Sequence, residues 1–347
     1  MDFSTAGILL LDGATNGAVY GLLALATVLV FAVTRVIFIP QGEFVAYGAL
    51  TLALLQLGKV PGTVWLLLAL SAVAAVLDLV DAIRRGLPPA LWLRGLARTL
   101  LLPAVVAALT VWAAPQKLSL LVQSALAVAI VTLLGPLVYR LAYQKLADAT
   151  VLVLLIVSVG VHFALTGLGL VFFGAEGQRG PTISDAAFMV GPLRFTGQSI
   201  AVYAITIAFI AGLWLFFGFT LYGKALRATA VNRLGARLVG IRTTLSGQIA
   251  FLLASVIGAI SGILIVPITT LYYDTGFLIG LKGFIAAIIG GLVSYPLTAV
   301  AALVVGTVEA FSSFYASNFK EVIVFTLILP VLVLRSLAAP EVEEEKD

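Results

Sequence analysis

Long, unbroken runs of apolar residues recur along the whole 347-residue chain, and they constrain its fold more than any other feature. A helix needs roughly 20 apolar residues to cross a bilayer. Because lipid offers no hydrogen bonds to the backbone, a spanning segment must be a helix or part of a closed barrel. The runs are continuous rather than alternating, so they predict helices. Only 10% of the residues are charged, against about 25% in soluble domains.

The chain is therefore expected to form an all-α, polytopic transmembrane helical bundle of about 10–11 spans, built as a single domain over residues 1–340. Two of the spans are irregular: one is short and bounded by glycines, and the other contains Pro40, Gln41, Gly42 and Glu43. Each is interpreted as a broken or incomplete helix. The predicted crossings are 8–33, 36–57, 62–80, 97–115, 118–139, 150–173, 199–220, 245–271, 281–294, 297–316 and 320–338.

Basic residues predict the orientation of the bundle. With the N-terminus outside, fourteen Lys and Arg residues lie inside and six lie outside, as the positive-inside rule requires. The C-terminus is then cytoplasmic. The acidic tail 341–347 does not oppose this orientation, since acids contribute little to the rule, and it is expected to be solvated and disordered.

Composition argues against an enzyme. The chain has no cysteine and one histidine, His162, so disulfides, thiol catalysis and a cysteine–histidine metal site are excluded. No glycine-rich phosphate-binding motif is present. No bound metal or cofactor and no nucleic-acid partner are expected.

Charged residues inside the apolar runs are the next candidates for function. A charge at the centre of a spanning helix costs about 2.5–3.5 kcal/mol, so each one requires a reason. Glu43 either lines a polar path or pins a broken helix, or else it lies at the inner interface because its helix begins late. Glu309 is expected to pair with a nearby group such as Lys282. His162 is interpreted as a hydrogen-bonded packing residue rather than a proton relay.

The segment 221–243 holds five of the twenty Lys and Arg residues and no acid. Its apolar residues fall on one helical face: Val231, Leu234, Leu238 and Ile241. Arg233 and Arg237 fall on the other face, and Gly223 and Gly240 are expected to bracket the helix. Such a helix either rests on anionic lipid or sits in the groove of a soluble partner. Composition alone slightly favours lipid.

Four blocks of sequence resemble a known family. They are Asn16–Leu25 with 41–44 and 47–49, Tyr139–Arg140 with 155–160 and 172–174, the segment 223–241, and Gly280–Leu292 with Gly306, Glu309 and Lys320–Val322. In order and spacing they resemble the permease subunits of bacterial ABC importers for branched-chain amino acids.

The resemblance implies a bacterial inner-membrane subunit that receives branched-chain or other hydrophobic amino acids from a periplasmic binding protein. It implies a second permease subunit and two cytoplasmic ATPase subunits as partners, which use ATP that this chain does not bind. It also makes 221–243 a coupling loop, and this favours partner contact over lipid contact. The implied coupling residues are Gly223, Arg227, Ala228, Arg233, Leu234, Arg237, Leu238 and Gly240.

The first and fourth blocks resemble each other faintly, which is consistent with the internal repeat common in transporters. Under this hypothesis six substrate-pathway residues approach one another: Gln41, Gly42, Glu43, Lys282, Gly290 and Gly291.

The chain also departs from the family pattern. The run Ile37–Glu43 lacks the family's Asn and His, Val231–Asn232 replaces a common acidic pair, and residues 60–115 resemble a two-helix insertion with a peripheral position.

A self-sufficient secondary transporter or channel for a small solute is the alternative function. It would need ion-coupling or pore-lining polar groups within the membrane. Few candidates exist, and uptake by the chain without an ATPase would distinguish this alternative.

Overall fold

A computed structural model describes residues 3–86, 88–116, 118–191 and 193–338. The predicted acidic tail at 341–347 lies outside the described residues. Within them the chain forms fourteen α-helices and one β-hairpin. The helices are α1 (Phe3–Thr34), α2 (Gln41–Gln56), α3 (Thr63–Arg84), α4 (Pro89–Ala113), α5 (Leu120–Val138), α6 (Val151–Phe173), α7 (Gly197–Phe219), α8 (Leu221–Val231), α9 (Arg233–Leu238), α10 (Thr243–Ile265), α11 (Thr275–Ile289), α12 (Tyr295–Tyr315), α13 (Lys320–Thr326) and α14 (Ile328–Ala338). The strands are β1 (Ala187–Val190) and β2 (Leu193–Thr196).

The predicted all-α, polytopic bundle is confirmed. In the described part of the chain, nine helical segments are long and apolar enough to cross a membrane. They are α1, α3, α4, α6, α7, α10 and α12, α5 together with its continuation to Leu146, and the segment Ser317–Leu334.

Several predicted crossings are wrong in their extent. The helix predicted at 97–115 begins earlier, at Pro89, the one predicted at 245–271 ends earlier, at Ile265, and 320–338 is divided at Leu327.

The crossings 36–57 and 281–294 also differ from the prediction. Residues 35–40 are not helical, so α2 begins only at Gln41, after Pro40, and has 16 residues. The helix α11 begins earlier than predicted, at Thr275, and ends at Ile289 after 15 residues. Gly291 (φ 76°) and Leu292 (φ 59°) then adopt left-handed backbone conformations that a helix cannot continue through. Apolar pattern alone did not locate these breaks.

The long helix α1 lies at the centre and packs against α10, α11 and α12. Its contact with α12 is unusually close. A Cβ on Gly306 would lie 2.3 Å from the carbonyl oxygen of Gly13. Small residues at such crossings allow two backbones to approach where lipid gives no hydrophobic driving force.

The loops gather at two opposite ends of the bundle. At one end, which carries the β-hairpin and which we call the hairpin face, the backbone of Gln178 pairs with that of Leu271, and Tyr203 donates a 3.1 Å hydrogen bond to the carbonyl oxygen of Leu11. At the other end, the α8–α9 face, Arg233 reaches the carbonyl oxygen of Ala147. A spanning bundle therefore presents one face to each side of the membrane.

The two helices predicted within 60–115 are α3 and α4. They pack on each other and on α5. Apolar side chains on their outer surfaces remain exposed, among them Trp65, Leu101 and Trp112. This pair of helices, the α3–α4 pair, thus lies at the edge of the bundle.

Candidate functional site: two buried polar clusters and the α8–α9 segment

The first turn of α2 is fully buried. Gln41 and Glu43 are each 2% exposed. The side-chain amide of Gln41 donates a 3.0 Å hydrogen bond to the carbonyl oxygen of Ala254 on α10. Glu43 therefore does not lie at an exposed interface, although its helix does begin late.

Glu43 joins α2 to α6. Its Oε1 lies 2.6 Å from Nδ1 of His162 and accepts a 3.4 Å hydrogen bond from Thr166. The imidazole of His162 stacks on the ring of Phe277, with 4.4 Å between the centroids. His162 is thus hydrogen-bonded and packed, as its sequence context predicts. This arrangement, which we call the Glu43 cluster, holds α2, α6 and α11 together.

Glycines set the crossing of α2 with α11. A Cβ on Gly42 would lie 2.0 Å from the carbonyl oxygen of Gly276, and one on Gly276 would lie 2.2 Å from that of Gly42. A Cβ on Gly280 would lie 2.8 Å from the Cα of Gly42. The backbones are in direct contact, so neither Gly42 nor Gly276 can carry a side chain without separating the helices.

A second buried cluster surrounds Lys282. Its Nζ lies 2.5 Å from Oε1 of Glu309 and 3.1 Å from Oε1 of Glu321. Tyr20 donates a 2.5 Å hydrogen bond to Oε2 of Glu309. Lys282 is 5% exposed and Glu309 7% exposed. The predicted pairing of Lys282 with Glu309 is confirmed, and this Lys282 cluster links α1, α11, α12 and α13.

The structure does not bring the six predicted pathway residues into one cluster. Gln41, Gly42 and Glu43 contact α6, α10 and α11, whereas the Lys282 side chain faces acids on α12 and α13. Gly290 lies against Thr298, and Gly291 occupies the turn after α11. The sequence did not predict that His162 contacts Glu43, that Tyr20 contacts Glu309, or that Glu321 contacts Lys282. They lie far away in the chain, and no local pattern pairs them.

The predicted single amphipathic helix in 221–243 is wrong, because the segment forms two helices. Asn232 adopts extended backbone angles (φ −148°, ψ 102°) between α8 and α9. Its side-chain oxygen accepts a 2.8 Å hydrogen bond from the backbone N–H of Gly235 and so caps α9. Asparagine is among the residues that favour this capping position.

Of the two glycines predicted to bracket the helix, Gly240 does so and Gly223 does not. Gly240 has a φ of 86° just after α9 and forms the predicted turn. Gly223 lies inside α8 rather than at its start, because Thr220 caps this helix by accepting a 2.9 Å hydrogen bond from the Gly223 N–H. A Cβ on Gly223 would lie 2.1 Å from the carbonyl oxygen of Phe216.

The arginines of α9 are bound within the chain. Arg233 donates a 2.5 Å hydrogen bond to the carbonyl oxygen of Ala147. Arg237 donates a 2.8 Å hydrogen bond to Asp148 and a 3.1 Å one to Thr243. The hydrogen bond from Arg237 lowers the pKa of the Asp148 carboxyl below its ordinary value. These contacts fasten α9 to the loop before α6.

Several apolar side chains of the segment are exposed, whereas Leu226 and Ala236 are buried. Val231 is 85% exposed and Leu238 80% exposed, with Leu234 and Val239 close behind. Val231 and Val239 also line an open hollow between α8 and α9, together with Lys224, Arg227 and Ala228. We use the name α8–α9 hollow for this hollow together with the exposed side chains of Leu234 and Leu238 on α9, which do not line it themselves. Contiguous exposed apolar surface rimmed by polar residues is typical of a protein-binding site.

Comparisons with a family model and with individual proteins point to the same class of membrane permease. A family model described as the permease component of branched-chain amino acid transport systems matches residues 95–333. The high-affinity branched-chain amino acid transport system permease protein BraD of Pseudomonas aeruginosa is 25% identical over 352 residues, which cover 96% of each chain. The corresponding permease protein LivH of Escherichia coli is 28% identical over 232 residues, covering 63% of this chain and 74% of LivH. No solved structure gives a significant match.

The nine spanning segments and the family match together define a polytopic membrane permease. The chain belongs to the family of permease components of branched-chain amino acid transport systems. The resemblance carried by the four sequence blocks is thereby confirmed.

Proposed function

We propose that this chain is the membrane-spanning permease subunit of an ATP-binding-cassette importer for branched-chain or other hydrophobic amino acids. A periplasmic binding protein delivers the substrate, and a second permease subunit completes the pathway. Two cytoplasmic ATPase subunits bind the ATP, so this chain carries no cofactor. The N-terminus and the hairpin face lie outside the bacterial inner membrane, and the α8–α9 face and the C-terminus lie in the cytoplasm.

The α8–α9 hollow is the observation that supports ATP-driven transport most directly. In a self-sufficient transporter this apolar surface would stay exposed or rest on lipid, whereas in an ATP-driven transporter a partner protein would bury it. An ATPase subunit seated on Val231, Leu234 and Leu238 would cover that surface. Residues 221–243 then act as the coupling loop. Arg233 and Arg237 hold this loop against Ala147 and Asp148, and Arg227 lies in the wall of the hollow.

The proposed pathway runs beside the first turn of α2. Gln41, Gly42 and Glu43 hold this turn against α10, α11 and α6. In this proposal Lys282, Gly290 and Gly291 mark the limits of the pathway along the far part of α11. The transporter domain is the single unit 1–340, and the α3–α4 pair is a peripheral insertion at 60–115.

Reconstituted uptake tests the proposal. Proteoliposomes containing the chain, its sister permease and the two ATPases should accumulate radiolabelled leucine, isoleucine or valine when binding protein is outside and ATP is inside. The chain reconstituted alone, under a proton or sodium gradient, should accumulate none. Gradient-driven uptake without an ATPase would establish the secondary-transporter alternative instead.

The Glu43 cluster supplies a first prediction. Glu43→Gln keeps the shape of the side chain but removes its charge, and a hydrogen bond to a charged group contributes about 1.5–3 kcal/mol. We expect ATP-driven uptake to fall by about tenfold or more. Glu176→Gln, at an exposed position in the loop before β1, is the matched control and should transport normally. Wild-type uptake by Glu43→Gln would remove Glu43 from the mechanism.

The α8–α9 hollow supplies a second prediction. Burying a leucine side chain contributes about 1.5–3 kcal/mol, and Leu238→Asp replaces this gain with a charge. We expect the affinity for the ATPase subunits to drop by roughly tenfold to a hundredfold, as measured by co-purification at graded concentrations. Val190→Asp, an exposed position on the hairpin face, should leave this affinity unchanged. Equal affinities for the two variants would contradict the proposed docking surface.

A further inference from the structure

Cations are concentrated at one end of the α3–α4 pair. Arg84 and Arg85 lie at the end of α3, and Arg94 and Arg98 lie in the first turns of α4. All four are exposed. This group, the basic end, lies on the α8–α9 side of the bundle, because the neighbouring end of α5 leads directly to Ala147 and Asp148, which contact α9.

A cleft of about 290 Å³ lies between the last turns of α3, including Arg85 of the basic end, and the residues that follow α5. Its polar lining comes from both sides: Asp78, Asp81, Arg85, Arg140, Gln144 and Lys145. Asp78 is already engaged, since it pairs with Arg140 and accepts a 3.1 Å hydrogen bond from Thr99. Among the described residues, neither Arg85 nor Lys145 has an acid within ion-pair distance. Three cations, Arg85, Arg140 and Lys145, thus line the cleft with two acids, Asp78 and Asp81, which leaves one excess positive charge. Arg85 and Lys145 are the cations available to bind an anion.

The position of the cleft favours a lipid as the source of that anion. The outer surface of the α3–α4 pair next to it is apolar and exposed, with Val76 58%, Ile83 59% and Leu101 66% exposed. In a membrane this surface contacts acyl chains, so the cleft lies where the hydrocarbon region ends and headgroups begin. Leu77 in the cleft wall continues the apolar surface up to the cations. Basic pockets between spanning helices on the cytoplasmic side bind anionic headgroups.

We propose that this cleft binds the phosphate headgroup of an anionic phospholipid. Arg85 and Lys145 are its main ligands, and Arg140, positioned by Asp78, is the third. The α3–α4 pair, for which transport itself gives no role, thereby becomes a lipid-anchoring element. The inference is independent of the transported substrate.

Native mass spectrometry of the full-length, delipidated protein tests the proposal. Dioleoyl phosphatidylglycerol and dioleoyl phosphatidylcholine are titrated against the wild type and the double variant Arg85→Gln/Lys145→Gln. Each basic residue near an anionic surface contributes enough to change affinity about fivefold. We therefore expect the double variant to lose about twentyfold to thirtyfold in phosphatidylglycerol affinity, with phosphatidylcholine binding unchanged. Lys59→Gln/Arg194→Gln removes the same charge from exposed positions outside the cleft and should bind phosphatidylglycerol like the wild type.

Three results would overturn the proposal. The first is equal phosphatidylglycerol affinity for the two double variants, which would indicate attraction to net charge alone. The second is equal wild-type affinity for the two lipids. The third is full competition by millimolar inorganic phosphate, which would indicate a soluble anion site. Arg85→Lys/Lys145→Arg, which keeps both charges, should retain binding. Unchanged phosphatidylcholine binding by Arg85→Gln/Lys145→Gln excludes misfolding as the cause of a loss.

Discussion

Lys282→Met is expected to destabilise the folded permease by about 3–5 kcal/mol, because removing one partner of a buried ion pair leaves the other charge uncompensated. Glu309 would lose the 2.5 Å contact with Lys282 while remaining 7% exposed, and Glu321 would lose its 3.1 Å contact. Four helices meet at this cluster, so the effect should extend to the whole bundle. Thermal unfolding of the purified protein in detergent measures it.

Two further variants make this expectation specific. Lys282→Met/Glu309→Gln removes both charges of the closest pair, and it should recover part of the lost stability, since an apolar or neutral pair avoids the uncompensated charge. Lys59→Met, at an exposed lysine, should change the unfolding temperature little. A Lys282→Met protein as stable as Lys59→Met would show that the Lys282 cluster does not support the fold.

Gly42→Ala is expected to prevent α2 from seating on α11. The added methyl carbon would lie 2.0 Å from the carbonyl oxygen of Gly276, and the obstacle is backbone rather than a flexible side chain. Overpacking typically costs about 1–3 kcal/mol, and we expect a value near the upper end. Because the displaced turn carries Glu43, uptake should also fall. Thermal unfolding and ATP-driven uptake are the measurements.

Gly160→Ala is the matched control for this substitution. Gly160 also lies within a helix, α6, but among the described residues no atom beyond its own stretch of that helix lies within 4 Å of the position where its Cβ would be. Alanine is favoured over glycine in a helix by roughly 1 kcal/mol, so this variant should be neutral or slightly stabilised. If Gly42→Ala behaved like Gly160→Ala, the close crossing of α2 with α11 would be incorrect.

The sequence was sufficient to predict the helical bundle and the ends of α5, α6, α7 and α12. Apolar length is a strong signal in a membrane chain, because every backbone group of a spanning segment must be paired internally. It was insufficient at the short helices. The late start of α2 follows from Pro40, an irregularity visible in the sequence. The early start of α11 at Thr275 was not predicted, although Phe277, Leu278 and Ile279 are apolar.

The candidate site was predicted only in part. The pairing of Lys282 with Glu309 could be proposed because few intramembrane charges are available to balance each other. The partnership of Glu43 with His162 could not, since it joins residues 119 positions apart. The helical periodicity of 221–243 predicted one shared face for Val231, Leu234 and Leu238, and the structure shows that all three are exposed. The periodicity could not show that Asn232 interrupts the helix and that the arginines turn back onto the chain.

Site-directed cross-linking tests the central claim, that an ATPase docks on the α8–α9 hollow, most directly. The chain has no cysteine, so Leu238→Cys gives a single reactive position. In membranes containing the complete transport assembly, a short thiol-to-amine cross-linker attached to this introduced thiol should capture an ATPase subunit. The variant Leu101→Cys, on the exposed surface of α4, should capture none. Failure to capture an ATPase from position 238, in an assembly that carries out ATP-driven uptake, would contradict the claim.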